Sequence, residues 1–522
     1  MGANTGGSGN FNPYSSCKVV PYEGIINENY FRIRQREKEL SANLELFKYI
    51  SKNPFNKKLD YFIGMLIKSK YDGIGRQLDQ IDISIALDIS GSMNSPINKK
   101  PSFKELALKI ENENEQSNNR NYNDYNEGNN LPKKKRLAIA KECLFKMIET
   151  MSDKVQMALT TFDTQSNLVI SLSPKEELLS ISNVINKIEA RGGTDLTVAL
   201  KGAADCLKES TAKFKRVIII TDGWDNKESF MDLSKKLNKE NILITVITID
   251  PSGNSSLYDR LCELKGCNYY FILNETDMEK YLIHQFNYIC FPILYDLKIN
   301  FKSEDADLVR TIGCGLQNEK SKNIEDLNKN RDEKIEKNIS NGELINLKSL
   351  FPSDIKEFQS NCYQEGGLIL LKITPKSFEK NCKININLDY TEIEGKKAGQ
   401  NYEIEFSVDE LKNGVESVEI KKGIACYYYH KFYRKIAKFL NKNVKINLHG
   451  PYKDYNESRP DKKYFDFLSR DRENYDMIKI YFTDNYENDL NEYQKEYYLK
   501  NLDNWYNKVL KQMDEYKNKP KI

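Results

Sequence analysis

Histidine and tryptophan are scarce in this chain, at 3 and 2 of 522 residues, and the histidines stand at His284, His430 and His449. Little material is left for imidazole chemistry. Long apolar runs are missing as well: no stretch approaches the roughly 20 consecutive residues that a membrane helix needs, and the opening MGANTGGSGN has no apolar core of a secretory signal. A cytoplasmic protein is expected. Neither sign of charge is in excess, with 79 Lys+Arg against 76 Asp+Glu, which argues against nucleic acid or acidic lipid as a partner held by global charge. The 10 cysteines include no CxxC pair, so reduced, buried thiols are expected rather than a disulfide framework, with Cys262 and Cys267 nearest to a pair. Gly2 offers a weak N-terminal lipid anchor by myristoylation, with Cys17 as a second acylation site, although Gly6 stands where the motif prefers Ser or Thr. The alternative is a disordered leader rich in Gly, Ser and Asn.

What is present is a strong alternation. From about 76 to 290, the short apolar runs IDISIALDI, VQMALTTF, RVIIITD, ILITVITID and NYYFIL are separated by helix-period segments such as LAIAKECLFKMIETM and LTVALKGAADCLKES. This predicts an α/β fold with a doubly wound, mainly parallel sheet covered on both faces. An Asn-rich insertion, 99–133, interrupts it and is expected to be mobile, because it has little apolar area to bury. From 291 to 450 the strands follow one another without helices (YDLKINF, GGLILLKI, CKININLDY, QNYEIEFSV), then a helix from about Gly423 to Leu440, which predicts a second, β-sandwich-like domain. A Tyr-rich helical tail, 451–522, places Leu502, Trp505, Val509 and Met513 on one face, a docking stripe for the chain's own body. The leader and segment 1–75 hold ENYFRIRQ, a strand, and LELFKYI and LDYFIGMLIKS, which read as helices or strands able to complete the β-domain.

Chemistry gathers at three places in the α/β region. IALDISGSM puts Asp88, Ser90 and Ser92 at alternate positions in the loop leaving the first strand; RGGTDL puts Thr194 in a Gly-permitted turn; IIITDGWDN ends a further strand at Asp222. In an open α/β sheet such loops meet at the carboxyl ends of the strands, near the switch in strand order. Two carboxylates and three hydroxyls make an all-oxygen set that suits Mg²⁺, or Mn²⁺ in its place, and suits Zn²⁺ poorly. A divalent ion held mostly by neutral oxygens keeps positive charge with which to take a carboxylate from another molecule. The plainer alternative is that the two serines cap the next helix and Asp88 caps a turn. Trp224 is either a contact beside the ion or a packing residue.

In their order and placement, these residues resemble the metal-ion-dependent adhesion site (MIDAS) of von Willebrand factor A (VWFA) domains, over about 76–290. The resemblance implies that Ser90, Ser92 and Thr194 offer hydroxyl oxygens, while Asp88 and Asp222 bind the ion directly or through water. The remainder resembles bacterial YfbK-type von Willebrand proteins, in YDLKINF onwards and in the segment ending IACYYYHKFYRKIAKFL, without a sharp motif.

The leading functional expectation is a Mg²⁺-dependent protein-binding module of an intracellular assembly, not an enzyme, with a partner offering Asp or Glu to the ion. Two alternatives stand beside it: an architectural subunit with an incidental metal site, its contacts made by Tyr-rich surfaces or those rings filling the chain's own core, and a metal-dependent hydrolase. Removing Asp222 is expected to leave the fold nearly intact and even to relieve repulsion with Asp88.

Overall fold

The computed structural model describes residues 29–34, 40–74, 81–97, 134–223, 228–249, 256–272, 278–313, 341–358, 360–444, 462–486, 495–496, 498–500, 502–503 and 506–507. The insertion 99–133 lies outside the described residues, as do Gly2, Cys17, Trp224, His449, Trp505, Val509 and Met513.

Three strands come first: β1 (Tyr30–Ile33), β2 (Asn43–Lys52) and β3 (Leu59–Lys68). The α/β region follows with β4 (Ile81–Asp88), α1 (Arg136–Thr150), β5 (Gln156–Phe162) and β6 (Ser166–Ser173). Next come α2 (Lys175–Ser180), α3 (Ser182–Asn186), α4 (Leu196–Asp205) and β7 (Phe214–Thr221). It closes with α5 (Glu228–Lys239), β8 (Ile242–Ile249), α6 (Ser256–Leu261), β9 (Asn268–Ile272) and α7 (Phe286–Cys290).

The six strands of this region form one sheet in the order β6-β5-β4-β7-β8-β9. All neighbouring pairs are parallel except β5 with β6, an antiparallel edge strand that the sequence reading passes over. Side chains alternate between two cores, as period-two strands require. Ile83, Ile85, Leu87, Ile218 and Ile220 pack with α1, whereas Ala86, Val217, Ile219, Ile244 and Val246 pack with α4, α5 and α6. The predicted doubly wound, mainly parallel sheet is therefore present. The chain runs from β4 outward to β5 and β6 and then crosses back to β7, so the switch in direction falls between β4 and β7. That is where such a sheet opens a crevice at its carboxyl edge.

Beyond it lie β10 (Leu294–Lys302), β11 (Ala306–Ile312), β12 (Asn341–Leu350), β13 (Ile355–Phe358), β14 (Asn361–Glu365), β15 (Leu368–Pro375), β16 (Cys382–Glu392) and β17 (Lys397–Phe406). Helix α8 (Val408–Asn413), β18 (Val415–Glu416), α9 (Val418–Val444) and α10 (Lys462–Asn485) complete the described elements. Two antiparallel sheets, β12-β10-β16-β17 and β11-β15-β3-β2-β18, face each other as a sandwich. Ile63, Met65, Ile369 and Leu371 of one meet Ile299, Phe301, Ile384 and Ile386 of the other in a shared core. A small third sheet joins β1, β14 and β13.

The segments LELFKYI and LDYFIGMLIKS are strands β2 and β3, central in the five-stranded sheet. Its outer face, with Phe47, Phe62, Leu66 and Leu370, is covered by Ile424, Tyr427 and Tyr428 of α9 and by Ile478 and Phe482 of α10. Tyr498, Leu502 and Tyr506 are buried in the same cluster, so these rings and Leu502 fill the chain's own core. The eight described cysteines are reduced thiols, with Cys267 buried and Cys262 half-buried. Among the described residues, no helix is long and apolar enough to cross a membrane.

Candidate metal centre

β4 and β7 run side by side and pair Leu87 with Ile220, so Asp88 and Thr221 emerge as neighbours at the carboxyl edge. Asp88 is fully buried. Its Oδ1 accepts from the Ser90 amide at 2.7 Å, and its Oδ2 accepts from the Thr221 hydroxyl at 2.5 Å. Burial pushes its carboxyl up to about 6, although both hydrogen-bond partners pull the other way. Asp88 thus closes a local turn, as the plainer alternative has it, but it also points a constrained carboxylate at the crevice.

Ser90 precedes a short 3-10 turn, Gly91–Asn94, and its side chain caps nothing there. Instead its Oγ lies 3.0 Å from Ser92 Oγ, which in turn donates to Asp222 Oδ1 at 2.7 Å. Capping is therefore not what the serines do. Two ligands in adjacent octahedral positions at about 2.05 Å from an ion stand about 2.9 Å apart. The hydrogen-bonded oxygens of Ser90, Ser92 and Asp222 are close enough together to serve as such ligands. Asp88, Ser90 and Asp222 are buried while Ser92 is exposed, so the cluster opens to solvent as a shallow rim.

Thr194 arrives on the loop before α4. Two backbone bonds dock this loop on the serine-bearing one: Gly91 N to Gly192 O at 3.0 Å and Arg191 N to Ile89 O at 2.5 Å. Gly192 has φ of 74°, and a Cβ there would meet Asp163 Oδ2 at 2.9 Å, so the turn needs glycine on both counts. Asp195 then caps α4, accepting from the amides of Thr197 and Val198 at 2.9 and 3.0 Å. Thr194 is fixed against the backbone after Asp222: a Cβ on Gly223 would lie 2.9 Å from its Oγ1. All five residues singled out in the sequence meet at one edge of the sheet.

Three participants were not singled out. Thr221 braces Asp88, and its only trace in the sequence is its place at the end of an apolar strand beside Asp222. Gly223 leaves room for Thr194. Arg136, the first residue of α1, donates from Nη1 to Asp222 Oδ2 at 2.7 Å in an ion pair whose carboxylate side chain is fully buried. The basic run PKKKR holds this arginine, but nothing in the sequence links it to an acid 86 residues away.

Arg136 bears on one expectation. Asp222 repels Asp88, but it also neutralises a guanidinium. Removing Asp222 would ease that repulsion and at the same time take this carboxylate from Arg136.

Residues 83–224 match the family described as von Willebrand factor type A domain, a span that holds all five residues, and this part of the chain is such a domain. Among solved structures, a von Willebrand factor type A protein from Catenulispora acidiphila is similar at a TM-score of 0.39 and 10% identity, over 78% of this chain and 84% of that one. The ArnB paralog VWA2 from Sulfolobus acidocaldarius is similar at a TM-score of 0.33 and 11% identity, over 84% of this chain and 93% of its own. Proximal thread matrix protein 1 from the mussel byssus, in a structure with a zinc-occupied MIDAS motif, gives a TM-score of 0.29 and 18% identity over 40% of this chain and 46% of that one. No curated protein sequence matches the chain.

Proposed function

We propose that the domain is a metal-dependent protein-binding module of an intracellular assembly, in which Ser90, Ser92, Thr194, Asp88 and Asp222 hold Mg²⁺, or Mn²⁺ in its place. Von Willebrand factor A domains commonly serve as metal-dependent interaction modules. The observation that carries the reading here is the convergence of hydroxyl and carboxylate oxygens from Ser90, Ser92 and Asp222, hydrogen-bonded in a chain at 3.0 and 2.7 Å, an all-oxygen set that suits a small hard cation. When bound, the ion supplies an electrophilic position for an Asp or Glu of the partner. Ser92 and the loop of Thr194 leave that position reachable from solvent. Thr221 keeps the carboxylate of Asp88 oriented. The β-sandwich that follows the domain accords with the likeness to YfbK-type proteins, and the membrane anchor at Gly2 has no place in this mechanism.

A hydrolase would need a base or a second cation near these oxygens. His284 lies in a turn beside the C-terminal half of α1, where Lys146 pairs with Glu279 at 3.1 Å. His430 is buried in α9. Neither of these two described histidines bonds to the oxygen cluster, which favours the binding reading. The test is capture of an acidic partner by the purified chain, in Mg²⁺ and in EDTA, for wild type and Ser92→Ala. Equal capture in EDTA would transfer the function to the architectural reading.

A further inference from the structure

The carboxylate of Asp222 is divided between two donors. Its Oδ1 faces Ser92 and the oxygen cluster, whereas its Oδ2 faces Arg136, each at 2.7 Å. A cation held by the serine oxygens would draw on the Oδ1 side of Asp222, the side away from Arg136. Arg136 is held there by its backbone: its amide donates to Ser95 O at 3.0 Å, and Lys135 bridges Pro96. Its side chain is only 14% exposed, so solvent and salt screen its charge weakly. It also starts helix α1, whose first turn carries no acid to offset it.

From this arrangement we infer that Arg136 sets the charge of the site: it weakens the hold on the metal and strengthens the hold of the loaded site on a partner's carboxylate. The inference rests on the metal reading above. Arg136 places a positive charge beside the carboxylate of Asp222, so it opposes a bound divalent ion and adds to the pull of the loaded site on a partner's carboxylate. Without Arg136, a partner acid would meet the ion without this second cation behind it.

The size of the effect follows from Coulomb's law. A unit charge roughly 6 Å from a divalent ion changes its affinity by about tenfold even at the dielectric constant of water, and a single carboxylate at similar range by about threefold.

The experiment uses the full chain, Mn²⁺ alone as the metal probe and acetate as the carboxylate probe. Free Mn²⁺ is followed by electron paramagnetic resonance, and acetate on the loaded protein by water proton relaxation. Arg136→Gln should bind Mn²⁺ about tenfold tighter and acetate about threefold more weakly, and its melting temperature should rise more on Mn²⁺ addition than that of wild type. Arg136→Met, which keeps the apolar stem, replaces the Gln variant if that fails to fold. Arg136→Lys retains the charge and should stay within about twofold of wild type in both affinities. The inference is overturned if the neutral variants bind Mn²⁺ no tighter than wild type, or if the Lys variant behaves like the neutral ones, which would mark a packing role. Loss of Mn²⁺ binding in Asp222→Ala beside an unchanged Arg136→Gln sinks the inference and keeps the metal reading. If wild type itself binds no Mn²⁺, both fall together.

Discussion

Thr221 and Asp88 stand side by side at the ends of two parallel strands, and the hydroxyl of one donates to the carboxylate of the other at 2.5 Å. Both are buried, so this bond orients an acid that solvent does not reach. Thr221→Val keeps the shape and removes the donor. The variant should lose about 1–3 kcal/mol of stability, because a buried carboxylate is left short of a partner. Its Mn²⁺ affinity should fall about 10–100-fold, the usual effect of removing a group that orients a metal ligand. Urea melts in EDTA and Mn²⁺ titration measure the two effects separately; an unchanged titration would mean that Asp88 does not need the brace.

Asp222→Ala should destabilise the metal-free protein by about 2–4 kcal/mol, since it leaves the half-buried Arg136 without its carboxylate. Asp222→Asn retains acceptor capacity for the guanidinium and should cost less. Thermal melts of both variants in EDTA decide the matter. A wild-type or higher melting temperature for the Ala variant would restore the view of two acids in mutual repulsion.

A methyl group added at Gly223 would lie 2.9 Å from Thr194 Oγ1 and Cγ2. Gly223→Ala should therefore push Thr194 and its loop outward. The domain should stay folded, with a loss of no more than about 1–3 kcal/mol, the range for overpacking, while Mn²⁺ affinity drops. Retained affinity would show that Thr194 is not among the ligands.

The five oxygen-bearing residues were legible because each sits just past an apolar run or in a glycine turn, where local pattern alone places it at a strand end. Thr221 and Arg136 were not, because their roles exist only in register across strands or between segments far apart in sequence. Fold legibility divides in the same way. β4 and β8 are buried along their whole length and β7 from Arg216 onward, and all are bounded by turns, so they read plainly as strands. β3 is apolar on both faces, one against the opposite sheet and one against α9, which erases the period that separates strand from helix. β6, half-exposed and rich in Ser, offered only the three-residue apolar run Leu168-Val169-Ile170.

Leu502 gives a test of the C-terminal segment. It is fully buried against the tyrosines of α9 and α10. Leu502→Ala should cost about 2–5 kcal/mol and loosen the sandwich, read as a lower unfolding midpoint of the full chain. A change within about 0.5 kcal/mol, the range of surface substitutions, would mean that this segment is not part of the folded unit.

The five-stranded sheet is stitched from segments on either side of the α/β domain: β3 pairs with β15, and Gln364 Nε2 donates to the carbonyl of Ile67, 297 residues earlier. The α/β domain is spelled out between these partners as one contiguous stretch. On a ribosome, β2 and β3 therefore emerge as a hairpin before their partner β15, and the whole α/β domain is made before that strand follows. Domains that form as units during synthesis do so in order of emergence, and pairing across so long a separation is slow. Until β15 is made, the apolar faces of this hairpin have no sheet beside them to complete their cover, so the five-stranded sheet can close only after the α/β domain has been synthesised.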